Sequence, residues 1–204
     1  MISVLEQLKP ALFVIFCASS IAAAYASPAA AEPARHVQQQ ELLATISQLL
    51  KNTDKITGNF EQRKFISVLP QPLLSTGHFE LDDETGLEWL IIKPIESRLV
   101  FDSQGIRQNQ QGQTVWQVSN EQPGIAVIGL ILRAILSADW ETLTAYFSIE
   151  GTQDKQRWTL ALTPKDPFLQ QVVTHITLIG ESNIETVNLF ETSGDRTEIR
   201  FEIL

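Results

Sequence analysis

The sequence predicts an α+β fold: an antiparallel sheet preceded by one amphipathic helix and interrupted by one strongly apolar helix. Three observations carry that expectation. Residues 77–103, GHFELDDETGLEWLIIKPIESRLVFDS, place apolar side chains at alternate positions in three short runs, the period of a strand with one covered face. Turn-forming clusters recur at short intervals, at residues 82–86, 103–105, 109–112, 164–167, 180–183 and 193–195, which suits a meander. Residues 123–138, PGIAVIGLILRAILSA, are apolar around nearly the whole helical circumference, with Arg133 as the single charge.

The elements follow in chain order. The first ten residues carry Lys9 and Glu6, and the apolar run over residues 11–24 is too short to span a membrane comfortably. Ala24-Tyr25-Ala26 ends that run with small residues, so residues 1–26 read as a cleaved signal peptide and residues 27–204 as a single domain; Ala29-Ala30-Ala31 is a second available site. Cys17 is the only cysteine, and the bulky Phe16 before it does not suit lipid attachment. The mature chain therefore has no disulfide and no thiolate chemistry, and its fold rests on packing. A net charge of −9 argues against nucleic acid or an anionic membrane surface as partner.

Residues 27–33 are rich in Ala and Pro and read as a leader. HVQQQELLATISQLLKN then sets Val37, Leu42, Ile46, Leu49 and Leu50 near a 3.6-residue period, one amphipathic helix ending before Asn52. Further strands carry Trp116 and Val118; Trp158, Leu160 and Leu162; Val172, Thr174, Ile176 and Leu178; and Thr197, Ile199, Phe201 and Ile203. Their second faces are polar, as in Arg157 and Thr159 or Glu198, Arg200 and Glu202, so one side of the sheet meets water.

Converging catalytic groups are scarce. His36, His78 and His175 stand far apart with no HxH or HExxH spacing, so no metal or cofactor is expected. There is no GxSxG elbow, no GxGxxG and no Walker loop. Asp82, Asp83 and Glu84 read as a charged hairpin turn, and His78 and His175 as strand histidines facing away from the apolar side. The chain is not expected to be an enzyme.

In order and spacing the strand signatures resemble those of the periplasmic outer-membrane lipoprotein carriers, the LolA-like family. NFEQRK at residues 59–64 is similar to the family's F-x-Q-x-K strand; GHFEL, a turn and LEW at residues 87–89 follow. KPIESRLVFD at residues 93–102 resembles its P-x-x-x-x-L-V-x-D segment, then GQTVW at 112–116 and LALTPKD at 160–166. The resemblance implies a strongly curved antiparallel sheet, an incomplete β-barrel, with an N-terminal helix and the inserted apolar helix as a lid. It implies a monomeric periplasmic carrier that binds acyl chains of lipoproteins in a hydrophobic cavity and takes them from an inner-membrane donor to an outer-membrane acceptor. The residues expected to face that cavity are Phe60, Phe79, Leu81, Leu87, Trp89, Leu99, Phe101 and Trp116, with Ile128, Leu132 and Leu136 from the lid.

A buried methylene contributes about 0.8 kcal/mol, so a sixteen-carbon chain gains on the order of 10 kcal/mol gross, against which a lid packed on the empty cavity competes. Two departures bear on the cargo. The arginine that holds the family's closed state has Asp83 nearest its position, and the chain stops at Leu204 without the family's terminal segment. The alternatives are a carrier of another lipid or acylated glycolipid, or a lipoprotein-sensing interaction module without transport.

Overall fold

In the computed structural model, residues 32–50, 55–82, 84–110, 112–119 and 125–204 are described; the expected signal peptide and Asp83 lie outside them. Helix α1 (Glu32–Leu49) leads into β1 (Lys55–Phe65), β2 (Leu73–Asp82), β3 (Gly86–Lys93), β4 (Ser97–Asp102), β5 (Gly105–Gln110) and β6 (Gln113–Ser119). Helices α2 (Ile125–Leu136) and α3 (Trp140–Tyr146) follow, then β7 (Phe147–Asp154), β8 (Arg157–Pro164), β9 (Val173–Gly180), β10 (Ile184–Glu191) and β11 (Arg196–Ile203). The sheet order is β6-β5-β4-β3-β2-β1-β11-β10-β9-β8-β7, antiparallel throughout. Two meanders are thus welded into one eleven-stranded sheet by the pairing of β1 with β11, from Gly58 opposite Ile203 to Phe65 opposite Arg196.

The open edges are β6 and β7, and α2 and α3 link them. Helix α2 contacts β5 and β6, α3 contacts β7, and the two helices contact each other. Eleven strands laid flat would set the edges about 48 Å apart. Helix α2 packs on both halves of the sheet, through Ile131, Ala134 and Ile135 on the β7–β9 side and through Leu136 on the β1–β6 side. The sheet therefore curls around the helices, the incomplete barrel that the sequence resemblance implies.

The sequence pattern leaves the segment between residues 138 and 157 unassigned, and the structure forms α3 and β7 there. Helix α3 starts because the Asp139 carboxylate accepts the Thr142 N–H at 3.0 Å, an N-cap on a stretch too short for periodicity to reveal. Strand β7 buries only Phe147 and Ile149, so its alternation is too brief to stand out.

The curled sheet encloses two apolar clusters. One combines Leu43 and Ile46 of α1, Ile131, Ala134 and Ile135 of α2, and Leu143 of α3 with Phe147, Ile149, Trp158, Leu160, Leu162, Ile176 and Leu178 of β7–β9. The other is built from β1–β6, and its buried members include Phe60, Phe79, Trp89 and Phe101; among the described helices α2 alone caps it, through Leu136 with Leu132 packed alongside. Phe201 packs against both. No described helix is long and apolar enough to cross a membrane.

Candidate functional site

The site grows from a glycine–phenylalanine exchange between β1 and β2. Gly58-Asn59-Phe60 and Gly77-His78-Phe79 pair so that Gly58 faces Phe79 and Phe60 faces Gly77. A Cβ on Gly58 would lie 2.7 Å from Phe79 Cε1, and one on Gly77 would lie 2.6 Å from Phe60 Cζ and 1.9 Å from the Leu90 carbonyl oxygen. Each ring thus lies flat over the neighbouring strand, where only glycine fits. Trp89 continues the layer, stacked on Phe60 with ring centres 3.9 Å apart and on Phe79 at 6.0 Å. Phe201 meets Phe79 and Trp89 edge-on at 5.4 and 6.0 Å. Such ring pairs add about 0.5–1.5 kcal/mol each beyond their burial.

Of the residues expected to face a cavity, Phe60, Phe79, Leu81, Leu87, Trp89, Leu99, Phe101 and Leu136 are brought together, buried, in this one cluster. Trp116 and Leu132 are half-buried and pack against it. The side chain of Ile128 lies outside the described residues. The sequence reading anticipates more apolar wall than the chain covers with itself. In the described residues the rings stack on one another, and Leu132 and Leu136 of α2 pack against their cluster.

Two clefts flank α2. One, of about 250 Å³, lies at its C-terminal end, between Leu136, Ser137, Ala138, Trp140, the end of α1 and the chain at Ile56, Ile184 and Ile203. The other, of about 270 Å³, lies along its middle turn, between Gly129, Leu130 and Arg133 and the β2–β3 and β4–β5 turns. Each is smaller than the 300–1,000 Å³ usual for small-molecule sites. The helix separates them, so its displacement would join both to the aromatic cluster.

Helix α2 is anchored through α3. Trp140 Nε1 donates to Ser47 Oγ of α1 at 2.9 Å, Ser47 in turn donates to the Leu43 carbonyl, and the Trp140 ring meets Trp158 edge-on at 6.2 Å. One hydrogen bond of this kind contributes about 0.5–1.5 kcal/mol net. That holds a closed arrangement without locking it.

Polar groups inside the curl sit away from α2. Lys64 Nζ donates to Glu191 Oε1 at 2.8 Å, with side chains 8% and 3% exposed, and the opposing Thr197 hydroxyl reaches the same oxygen at 3.5 Å. Glu191 Oε2 is buried without a hydrogen-bond partner among the described residues. The pair ties β1 to the end of β10. Sequence reasoning assigns it no role because 127 positions separate its members; only the register of β1, β11 and β10 brings them together. Gln108 likewise donates to buried Ser97 Oγ at 2.9 Å.

The arrangement offers apolar volume and little chemistry. No group of three or more His, Cys, Asp or Glu among the described residues could hold a metal ion. His78 lies near Asn59 at 3.4 Å and His175 stacks on Phe190 with ring centres 4.1 Å apart, and neither belongs to the two clusters.

Among solved structures, a LolA superfamily protein from Nitrosomonas europaea is 11% identical, with 80% of this chain and 90% of that one covered at a TM-score of 0.42. A lipoprotein-sorting protein domain from Vibrio parahaemolyticus is 8% identical, with 80% and 90% covered at 0.41. MucB of Pseudomonas aeruginosa, solved with MucA, is 13% identical, with 79% of this chain but only 56% of that one covered at 0.40. A search of curated proteins finds no match. The profile of the family described as outer membrane lipoprotein carrier protein LolA-like matches residues 30–200. The chain, with its curled open sheet and helical insert, belongs to that LolA-like family.

Proposed function

We propose that the protein is a periplasmic carrier that binds the acyl chains of lipoproteins and moves them from an inner-membrane donor to an outer-membrane acceptor, with no covalent step. The observation that carries this reading is the cover of the β1–β6 cluster. Helix α2, which has a single charge, is its only helical cap among the described residues, and shallow clefts lie along and beyond that helix.

In the carrier reading, the arrangement with α2 packed on the cluster is the closed one. Lifting α2 exposes Phe60, Phe79, Leu81, Leu87, Trp89, Leu99, Phe101 and Trp116 as the wall of an acyl cavity, with Leu132 and Leu136 on the retracting lid and Ile128 one turn earlier. Burying a leucine side chain contributes about 1.5–3 kcal/mol, so displacing Leu132 and Leu136 offsets a substantial part of the gain from an entering chain. Net affinity is thereby held within a range from which release to an acceptor is feasible. A signal peptide over residues 1–26 would deliver the chain to the compartment where such cargo travels.

Native mass spectrometry of the protein purified from the periplasm tests the reading. The expected result is co-purified acylated peptide or lipid, lost in Leu132→Glu while the circular dichroism spectrum is retained. A wild-type protein that carries no lipid and takes up none from acylated peptide contradicts it.

A further inference from the structure

Arg133 is the single charge on α2, and it does not project from an otherwise bare outer face. Gly129 packs on the sheet, with the position of its absent Cβ 3.5 Å from Phe101 Cδ1. Arg133 stands four residues on, one turn along the same face. It is half-buried and lines the cleft of about 270 Å³, together with the buried Phe101 and Ile106 and the exposed Leu130.

No carboxylate among the described residues pairs with that guanidinium. Asp102, on the cleft wall, is taken by Arg107 Nη2 and by the N–H groups of Gln104 and Gly105. Glu84 is exposed at the rim and forms no ion pair with Arg133. The half-buried Arg133 has no ion-pair partner among the described residues, and an anionic ligand would supply one by a charge-assisted hydrogen bond. Phe101 and Ile106 belong to the same cluster that the carrier reading opens to acyl chains.

We infer that this cleft is the head-group subsite of the carrier. It takes the anionic head of an amphiphile, a phosphate or carboxylate bonded by Arg133, while the tail enters the β1–β6 cluster beneath α2. The inference rests on the carrier reading and adds the charge of the cargo to it. Because Arg133 rides on the lid, the head group would bridge the moving helix and the fixed β2–β3 and β4–β5 turns.

The test compares 1-palmitoylglycerol 3-phosphate, uncharged 1-palmitoylglycerol and inorganic phosphate by tryptophan fluorescence and calorimetry. The phosphorylated lipid is expected to bind about tenfold more tightly than the uncharged one, the difference a charge-assisted hydrogen bond supplies. Arg133→Gln should abolish that preference while leaving 1-palmitoylglycerol binding within about twofold, Arg133→Lys should keep most of it, and millimolar inorganic phosphate should not displace the lipid. Equal binding of both lipids, unchanged by Arg133→Gln, overturns the inference and leaves the carrier reading standing. Displacement by inorganic phosphate alone overturns it in favour of a free-anion site. A wild-type protein that binds neither lipid removes the carrier reading and the inference together.

Discussion

The two halves of the curled sheet solve the same burial problem differently. The β7–β10 half is sealed by three helices, with Leu43 and Ile46 of α1, Ile131 and Ile135 of α2 and Leu143 of α3 interdigitating with aliphatic strand residues and Trp158. Among the described residues the β1–β6 half has helical cover from α2 only, and it fills its centre with rings laid flat on glycines. Aliphatic interdigitation on several elements is costly to undo, because every side chain has partners on more than one neighbour. A layer of flat rings under one helix leaves a smooth apolar floor when the helix moves. In the carrier reading, one half is thus the frame and the other the exchangeable surface.

The largest expected effect breaks the junction of the halves. Lys64→Met strands the Glu191 carboxylate in the interior, and loss of one partner of a buried pair costs about 3–5 kcal/mol. For a domain of this size that lowers the melting temperature by on the order of 10 °C, read by calorimetry. An unchanged melting temperature would mean the pair does not join the halves.

Next is the frame itself. Leu160→Ala removes a fully buried side chain from the β7–β10 half and should cost about 2–5 kcal/mol in denaturant unfolding, with acyl-chain affinity of the folded protein unchanged. A matching loss of affinity would show that the halves are not separable.

How much of this was legible in the sequence differs between the halves as well. Alternation in GHFEL, LEWLI and RLVFD placed the residues of the β1–β6 cluster on one side of the sheet without a structure, because strand period is local. The apolar 123–138 segment declared a buried helix for the same reason. What stayed hidden depends on register: the reciprocal Gly58–Phe79 and Phe60–Gly77 contacts, the Lys64–Glu191 pair and the Trp140–Ser47 bond each join residues distant in the chain. The closed state was equally unreadable, since pattern reports which face is apolar and not what presently covers it.

A smaller effect sharpens the exchangeable half. A methyl group on Gly129 would meet Phe101 at ordinary contact distance, so Gly129→Ala fits the closed helix and stabilises it by about 1 kcal/mol. Acyl-chain binding should weaken by about fivefold, read as a dissociation constant with the fold unchanged. Tighter binding would place α2 outside the gating step.

The smallest effect is electrostatic. The Thr85 and Glu84 N–H groups bonded to the Asp82 carboxylate at the β2–β3 turn hold its pKa below 3.8. A depressed carboxylate pKa contributes stability that is complete above the ordinary value and is lost as pH falls through the lowered one. Asp82→Asn should therefore flatten the acid limb of the melting-temperature profile below about pH 4, with little change at neutral pH.

Amide hydrogen exchange with and without an acylated peptide tests the division of labour most directly. The account predicts faster exchange in α2 and altered protection in β1–β6 on binding, with β7–β10 and α1 unchanged. Changes spread evenly over both halves, or confined to β7–β10, would contradict it.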